Sequence, residues 1–309
     1  MRAAIVRHFG GPEAIEFADL PLPEPGPGQV RIRVAAAAVN RIDLSTRDGK
    51  LFHAGLLTRA DSYSLGWDVA GEIDAVGPAT DFTVGDRVIG LRDVLSAPGT
   101  YAEHVVLDVA AVAPAPVTAS AAEAATLPMA GLTADRSLAL AGLRRGETLL
   151  VTGAAGSVGG ALLQLAALRG IRTVAVAGPD DRKIVESLGA TWFVPRTDRL
   201  GAAVRAVVPG GVDAVVDAAV TGVAAHEALR GGGVFVALVA PFAPPPLRGT
   251  RVVVQEVYAD GARLTELSAL VDAGRLTLRV AGTLPLTSAA EAHTRAAAGG
   301  LRGRLVLVP

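Results

Sequence analysis

The chain contains no cysteine among its 309 residues. This absence excludes disulfide bonds, thiol nucleophiles and every metal site that is built from thiolates. The histidines are also few and scattered, and they lie at His8, His53, His104, His226 and His293. None of them stands at the short spacing that is typical of metal-binding motifs. The sequence therefore predicts no metal site.

The chain also lacks an excess of charge of either sign, since its formal net charge is −1. No basic patch indicates a nucleic-acid partner, so we expect a small molecule as the partner. Half of the residues are hydrophobic, yet Gly, Pro or charge interrupts each apolar run before the roughly 18 to 20 residues that a bilayer span requires. The segment "MRAAIVRHFGGPEAIEF" has no secretory-signal pattern. We expect a cytoplasmic protein that does not contact membranes.

The pattern of apolar residues divides the chain into three segments. Residues 1–117 contain short alternating runs such as "QVRIRVAAAAV" and "DRVIG", separated by Pro and Gly, which favour a small, partly open β-barrel. In residues 118–258, strands that are apolar throughout alternate with helical periodicity, as expected for a doubly wound parallel sheet. Residues 259–309 follow with a helical stretch, "ARLTELSALVDAG", and the final strand "GRLVLVP". The predicted fold class is α/β.

The strongest local signal is "LLVTGAAGSVGGALLQLAAL", where Gly153, Gly156 and Gly159 lie between an apolar strand and an amphipathic helix. Small residues permit a tight turn and let backbone N–H groups approach a pyrophosphate at the N-terminus of the helix. Ala154 occupies the position of the first Gly of the usual GxGxxG pattern. The alternative is a tight turn in a sheet that binds no nucleotide.

The next predicted strand, "RTVAVAG", ends at neutral residues, Ala177 and Gly178. An acidic residue there would accept hydrogen bonds from the ribose of NAD and would repel the extra phosphate of NADP. Basic residues follow within reach of the same pocket, and they are Arg182, Lys183 and Arg196. The charge favours NADPH. Two alternatives remain: Asp180 and Asp181 would serve NAD if the strand were longer, and Arg182 and Lys183 would otherwise be a solvated helix start.

Four motifs occur in the order found in one large enzyme family. They are "LGWDVAGEIDAVGPATDFTVGDRVIG", "GTYAEHVVLD", "LPMAGLTA" ahead of the glycine loop, and the closing "GRLVLVP". With them the chain resembles the medium-chain dehydrogenase/reductase superfamily over nearly its whole length. Asn40 stands where the first ligand of the catalytic zinc would be, and Trp67-Asp68 replaces the family's His-Glu. The chain is therefore similar to the zinc-free branch of quinone oxidoreductases and enoyl reductases.

The resemblance implies a GroES-like catalytic domain built from both chain ends and a central Rossmann domain, with NADPH bound in the cleft between them. It places Asn40 beside the nicotinamide and the reacting carbonyl, Arg196 near the adenosine phosphate, and Asp181 where many relatives carry Lys. The other implied cofactor contacts are Thr133 on the nicotinamide side, Ala155, Gly156, Ser157, Val158 and Gly159 around the pyrophosphate, Val239 and Ala240 at the nicotinamide end, and Arg302 or Arg304.

Without a metal to polarise an alcohol, an already activated acceptor becomes the expected substrate, either a quinone or an α,β-unsaturated carbonyl compound. Asn40 is the candidate hydrogen-bond donor to its oxygen, and the alternative role of Asn40 is a turn-capping amide. Tyr63 is a candidate substrate contact or proton donor, with a surface position as the alternative. Asp43 and Arg47, four residues apart, are predicted to form an ion pair on one helical turn.

Other functions remain open from the sequence. One is a pathway-specific enoyl reductase that acts on a polyketide-like intermediate, and another is a non-catalytic sensor that binds NADPH. Relatives in the resembled branch commonly dimerise through the edge strands of their Rossmann sheets. The run "RVVVQEV" is a candidate for such an edge, so we expect a homodimer.

Overall fold

The structure is a computed structural model that describes residues 1–93, 99–197 and 199–309. Its chain forms two compact units. Unit 1 comprises Met1–Leu132 and Tyr258–Pro309, and unit 2 comprises Thr133–Val257. The chain thus enters unit 2 once and returns to unit 1 for its last 52 residues, counted from 258 to 309. Among the described residues, no helix is long and apolar enough to cross a membrane.

Strands and helices are numbered in chain order. The strands are β1 (Arg2–Val6), β2 (Ile15–Asp19), β3 (Gln29–Ala38), β4 (Tyr63–Ser64), β5 (Asp68–Val76), β6 (Arg87–Leu91), β7 (His104–Asp108), β8 (Val112–Pro114), β9 (Thr148–Thr152), β10 (Arg172–Ala177), β11 (Trp192–Pro195), β12 (Val212–Asp217), β13 (Leu229–Ala237), β14 (Arg251–Val254), β15 (Val280–Pro285) and β16 (Arg304–Val308). The α-helices are α1 (Arg41–Arg47), α2 (Lys50–His53), α3 (Ala121–Ala124), α4 (Pro128–Ala141), α5 (Ser157–Leu168), α6 (Arg182–Ser187), α7 (Leu200–Val207), α8 (Val223–His226), α9 (Gly261–Asp272) and α10 (Ala289–Ala298).

Unit 1 is built on a largely antiparallel sheet with the order β15-β16-β3-β5-β6-β8, and β7 pairs with β3 beside it. The long strand β3 alternates buried Val30, Ile32 and Val34 with more exposed arginines, as expected when one face of a strand packs on a core. β16 joins β3 through the pairs Val306↔Ala38 and Leu307↔Ala37. A smaller sheet contains β2, β1 and β4. The last strand of the chain thus completes a sheet that the first part begins.

Unit 2 is a six-stranded parallel sheet with the order β11-β10-β9-β12-β13-β14. Its central strand β9 is buried at every position, because helices cover both faces of such a sheet. The chain runs outward from β9 to β10 and β11, and then returns to the other side at β12. The direction of winding therefore reverses between β9 and β12, and ligands of such sheets bind at the carboxyl ends of the strands at this point. The predicted α/β class, with a Rossmann sheet and a GroES-like barrel, is confirmed.

The sequence pattern changes near residue 118, whereas the packing changes near residue 133. Residues between these positions form α3 and the first turn of α4, and they contact unit 1: the Thr118 hydroxyl donates to Asp272 at 2.8 Å, and the Met129 N–H donates to Asp68 at 2.6 Å. An Ala-rich helical stretch packs equally well on either kind of sheet, so its composition does not reveal which one it joins.

Candidate active site

The glycine loop of unit 2 follows β9 and leads directly into α5. Gly153 has a φ of +62°, a left-handed conformation that glycine adopts at little cost. A Cβ on Gly159 would lie 2.3 Å from the Gly153 carbonyl oxygen, so only glycine lets the first turn of α5 pack this close to the loop. The first turn of a helix presents backbone N–H groups and the positive end of the helix dipole. The residues present therefore fit a pyrophosphate, and binding of one at this loop stays a prediction.

A buried carboxylate organises the neighbouring strand end. Asp217, the last residue of β12, accepts the Thr152 hydroxyl of β9 at 2.5 Å, the Thr221 N–H and hydroxyl at 3.1 and 2.9 Å, and the Gly222 N–H at 2.7 Å. The Thr152 hydroxyl oxygen in turn accepts the Ala219 N–H at 3.0 Å. These bonds fix the loop after β12 beside the glycine loop, at the point where the winding of the sheet reverses. Sequence reasoning missed Asp217, although its place at the end of an apolar strand was a usable signal.

The end of β10 carries the residues that bear on the choice between NADPH and NADH. The strand ends at Ala177, as predicted. Asp181 turns inward, and its carboxylate accepts the Gly178 N–H at 3.1 Å. The exposed Arg196 lies beside the same residue, with its guanidinium 3.6 Å from the position of a Cβ on Gly178. The strand itself ends at neutral residues, and the turn after it holds the Asp181 carboxylate with the basic Arg196 side chain next to it.

The two basic residues that follow lie at the start of α6. The Arg182 guanidinium lies 4.5 Å from the centre of the Phe193 ring and forms an ion pair with Glu186 at 3.3 Å. Lys183 is exposed. This geometry favours the alternative of a solvated helix start for Arg182, and it leaves Arg196 as the best-placed basic residue for an adenosine phosphate.

The remaining predicted cofactor contacts of unit 2 lie at two places. Thr133 is buried within α4. Val239, which is 42% exposed, and Ala240 follow the carboxyl end of β13, where a short 3-10 turn places the Phe242 N–H 3.0 Å from the Val239 oxygen. Val239 and Ala240 thus lie at the same edge of the sheet as the glycine loop, the edge where Rossmann sheets bind their ligands.

In unit 1, Asn40 is buried at the start of α1 and is 1% exposed. Its Nδ2 donates to Asp68 Oδ2 at 2.8 Å and to the Ala38 carbonyl oxygen at 3.3 Å. Asn40 is the N-cap residue of α1, but the Asp43 N–H donates to its backbone oxygen at 3.1 Å and its side chain makes no capping hydrogen bond. Both amide hydrogens have partners, whereas Oδ1 is buried without a hydrogen bond. The sequence predicts Asn40 as a hydrogen-bond donor to a ligand. The geometry instead leaves its side-chain oxygen free to act as a hydrogen-bond acceptor.

Asp43 lies next to Asn40 and is fully buried. Its carboxylate accepts the Asn40 N–H at 2.7 Å, the Gly66 N–H at 2.9 Å and the Tyr101 hydroxyl at 3.2 Å. The predicted ion pair between Asp43 and Arg47 is therefore wrong. The Arg47 side chain instead turns toward the N-terminal segment. It forms an ion pair with Asp48 and donates to the Gly10 carbonyl oxygen at 3.1 Å.

Burial raises the pKa of both carboxyl groups of this cluster. Desolvation raises the pKa of Asp43 to about 7 against three hydrogen bonds that lower it, and the charge of Asp68 adds to the increase. Desolvation likewise raises the pKa of Asp68 to about 6, while the bond from Asn40 and the charge of Arg304 lower it. Burial lowers the pKa of Arg304, and the two carboxylates raise it. Arg304 thus acts on this cluster, a role that the sequence did not suggest.

Tyr63 belongs to a group of aromatic rings in unit 1. Its ring centre lies 4.9 Å from that of Phe9 and 6.4 Å from that of Phe52. The Tyr63 hydroxyl donates to the Thr58 carbonyl oxygen at 3.1 Å and accepts the Ala60 N–H at 3.3 Å. These bonds hold the segment before β4 and occupy the hydroxyl. A contact between Tyr63 and the substrate stays a prediction. Since the hydroxyl is already bonded, that contact would be made by the aromatic ring.

The residues at the zinc-ligand positions of the resembled family do not fit a zinc ion. Asn40 offers one amide oxygen, and the Trp67 indole offers no ligand atom. Asp68 already accepts hydrogen bonds from Asn40 and Met129. Among the described residues, no group of three His, Asp or Glu side chains is arranged to hold a metal ion.

Two protein families match the chain. The alcohol dehydrogenase GroES-like domain matches residues 26–117, and the zinc-binding dehydrogenase family matches residues 188–307. The chain is 30% identical to the chloroplastic NADPH-dependent alkenal/one oxidoreductase of Arabidopsis thaliana over 324 residues, which cover 100% of this chain and 80% of that protein. It is 38% identical over 183 residues to the spectinabilin polyketide synthase system protein NorB of Streptomyces orinoci, but the match covers 57% of this chain and only 8% of that protein.

Solved structures show the same likeness. An NAD-dependent alcohol dehydrogenase is 32% identical with a TM-score of 0.88, and the match covers 100% of both chains. A mycobacterial protein in complex with NADPH is 29% identical with a TM-score of 0.87, again over 100% of both chains. The chain belongs to the medium-chain dehydrogenase/reductase superfamily, and its relatives are named as quinone and alkenal oxidoreductases. Within it, the chain lies in the quinone oxidoreductase-like branch.

Proposed function

We propose that the chain uses NADPH to reduce a quinone or an α,β-unsaturated carbonyl compound without a metal ion. One observation carries the proposal: next to the glycine loop, β10 ends at the neutral Ala177, the Asp181 carboxylate that follows is turned onto the Gly178 N–H, and Arg196 lies beside Gly178. A strand that ends without an acidic residue and has an arginine beside it favours the phosphate of NADPH over the free ribose hydroxyls of NADH. The names of the relatives in Arabidopsis and mycobacteria support the same cofactor, whereas the alcohol dehydrogenase of similar fold is named as NAD-dependent.

In this function the backbone of residues 155–159 binds the pyrophosphate, and Arg196 binds the adenosine phosphate. A bound nicotinamide cofactor supplies a hydride, and a conjugated acceptor needs no Lewis acid to receive it. The protein then contributes mainly by orienting the reacting groups. Asn40 orients a ligand through its side-chain oxygen. Because the Tyr63 hydroxyl is engaged by Thr58 and Ala60, solvent supplies the proton that completes the product.

The test compares oxidation of NADPH and NADH by absorbance against quinones, alkenals, enones and saturated aldehydes. We expect NADPH to be preferred by at least about tenfold, an energetic difference of about 1.4 kcal/mol, and conjugated acceptors to be reduced while saturated aldehydes are not. Preference for NADH would contradict the role of Arg196. Binding of NADPH without turnover of any acceptor would favour the alternative of a non-catalytic sensor.

A second candidate is an enoyl reductase that acts on a polyketide-like intermediate. The observation that favours it is the 38% identity to part of a polyketide synthase system protein. Adding an enoyl thioester of pantetheine to the panel separates the two candidates. If the thioester is reduced with a kcat/KM at least about tenfold above that of every quinone and free enone, the second candidate replaces the first.

We further propose that two chains pair through β14, the edge strand of the unit 2 sheet. Arg251 and Val254 of this short strand are exposed, and a free strand edge readily pairs with another chain. Sedimentation of the wild-type chain at micromolar concentration should show a dimer. Val254→Lys should shift the population toward monomers, because charged side chains oppose pairing at an edge. A wild-type chain that sediments only as a monomer would contradict this pairing.

A further inference from the structure

Two acceptors hold the Asn40 amide in one orientation. Nδ2 donates to Asp68 Oδ2 at 2.8 Å and to the Ala38 carbonyl oxygen at 3.3 Å. An amide group has two N–H donors and one oxygen, so reversing it would place Oδ1 against two other oxygen atoms. The network therefore assigns the orientation of the amide, with the nitrogen toward Asp68 and the oxygen away from it.

The oxygen that results from this orientation has no partner. Asn40 Oδ1 is buried, and the described residues supply no hydrogen bond to it. Leaving a buried acceptor unsatisfied lowers stability, and a fold rarely retains such a group without a use. In the resembled family this position lies beside the nicotinamide. An acceptor there suits a ligand group that carries an N–H or O–H.

Asp68 is itself held in place. It is fully buried, and its second carboxylate oxygen, Oδ1, accepts the Met129 N–H at 2.6 Å. The Thr100 hydroxyl donates to its backbone oxygen at 2.8 Å, which fixes the main chain at the start of β5. The carboxylate therefore cannot rotate away from Asn40 without breaking a bond to the start of α4.

We propose that Asp68 is a positioning residue that fixes Asn40 Oδ1 as the hydrogen-bond acceptor for an N–H or O–H group of the ligand. The inference rests on the proposed function, because that function places a ligand at Asn40. Two ligand groups have this chemistry. One is the carboxamide or a ribose hydroxyl of the nicotinamide half of the cofactor, and the other is the hydroxyl of the reduced product.

Asp68→Asn tests the polarity of the site at nearly constant volume. The new amide must keep its oxygen toward the Met129 N–H, so its NH2 group faces Asn40. The NH2 groups of residues 40 and 68 then face each other and repel. The Asn40 amide reverses to remove this repulsion, so that its N–H donors replace the free oxygen acceptor. The double variant N40D/D68N restores the original polarity, because the amide at position 68 donates to the carboxylate at position 40, whose other oxygen is again an acceptor.

The experiment measures dissociation constants of NADPH, of 2′,5′-ADP and of a hydroquinone by fluorescence or calorimetry in the full-length wild type, D68N, N40D/D68N and the exposed control Asp61→Asn. We expect D68N to weaken NADPH or hydroquinone binding by about tenfold and the double variant to recover most of this loss. Binding of 2′,5′-ADP should not change, because this ligand lacks the nicotinamide half. A loss for NADPH identifies the cofactor as the source of the donor, and a loss for hydroquinone alone identifies the product.

A second measurement follows ligand binding in the wild-type chain by NMR and uses a variant only to assign the signal. The side-chain carbonyl carbon of Asn40, assigned by the loss of its NMR signal in Asn40→Asp, should shift when the ligand is added, because its oxygen gains a hydrogen bond. Unchanged NADPH and hydroquinone binding in D68N, or an unshifted Asn40 carbonyl in the loaded wild type, would overturn the inference. Failure of 2′,5′-ADP to bind any variant would instead contradict the proposed function, so the two failures are distinguishable.

Discussion

The two units of this protein build their candidate sites by different means. Unit 2 uses main-chain geometry, since glycines at 153 and 159 bring a loop and a helix end together and the buried Asp217 carboxylate bonds to neighbouring N–H and hydroxyl groups. Unit 1 uses buried side chains, and two of its carboxyl groups have raised pKa values next to an amide oxygen without a partner. A main-chain site depends on shape, whereas a side-chain site also depends on charge and protonation.

The largest effect that we expect comes from removing a carboxylate of unit 1. Asp43→Ala leaves three buried donors, Asn40 N–H, Gly66 N–H and the Tyr101 hydroxyl, without their acceptor. At about 1–3 kcal/mol for each unsatisfied group, the free energy of unfolding should fall by at least about 3 kcal/mol. Denaturant unfolding measures it, with the exposed Asp61→Asn as the control within about 0.5 kcal/mol. A loss as small as that of the control would remove the distinction between the units.

The shape dependence of unit 2 is tested at Gly159. Gly159→Ala places a Cβ 2.3 Å from the Gly153 oxygen, which must open the loop. We expect the dissociation constant of NADPH to rise by about 100-fold, or about 2.7 kcal/mol. Gly210→Ala is the matched control in the same unit, because nothing lies within 4 Å of its Cβ. Equal binding by the two variants would show that close packing at Gly159 is not required.

Arg196 supplies the charge that we propose for phosphate binding in unit 2. It therefore tests whether the site of unit 2 depends on charge as well as on shape. Arg196→Gln should lower the preference for NADPH over NADH by about tenfold, because a charge-assisted bond to the phosphate is lost. Arg182→Gln is the control, since Arg182 already contacts Phe193 and Glu186. The measurement is the ratio of kcat/KM for the two cofactors. If the ratio changes more in the Arg182 variant than in the Arg196 variant, Arg182 and not Arg196 binds the phosphate.

The smallest expected effect is the pH dependence that unit 1 imposes. The pKa values of Asp43 and Asp68, about 7 and about 6, lie above that of an unfolded aspartate. The folded chain thus binds these protons more tightly, and the stability that they provide is lost as the pH rises through these values. Buried His293, with a pKa lowered to about 4, opposes this trend below its ordinary pKa of 6.5. The net decrease should therefore appear between about pH 4 and 7, from the pKa of an unfolded aspartate to the raised pKa of Asp43, at less than about 1.4 kcal/mol per pH unit for each carboxyl group.

Asp43→Asn removes one of these titrating groups and should reduce that slope. Denaturant unfolding of this variant and of the wild type at several pH values measures the difference. The exposed Asp61→Asn should leave the slope as it is in the wild type. If the stability of the wild type instead rises across this range, the carboxyl groups of unit 1 are not the groups that control it.

The same difference decides what could be predicted from sequence. The glycine loop was predicted because its geometry requires particular residues at short, fixed spacing. The bonds of Asp68 join it to Asn40 and Met129, 28 and 61 residues away, and no local pattern records such pairs. The sequence predicts an ion pair of Asp43 with Arg47, its neighbour at helical spacing. Its actual partners Gly66 and Tyr101 lie far away in the chain, and no local pattern indicates them.

The pairing of β16 with β3 has a consequence for how the chain is made. Ala38 finds its partner in Val306, so unit 1 cannot close its main sheet until residue 306 has been made, whereas every strand described in unit 2 has been made by Val254. Contacts between such distant residues form slowly, and the waiting edge of β3 is open to wrong partners in the meantime. On the ribosome, the nucleotide-fold unit should thus mature first, and the nascent N-terminal segment should be the part that depends most on chaperones.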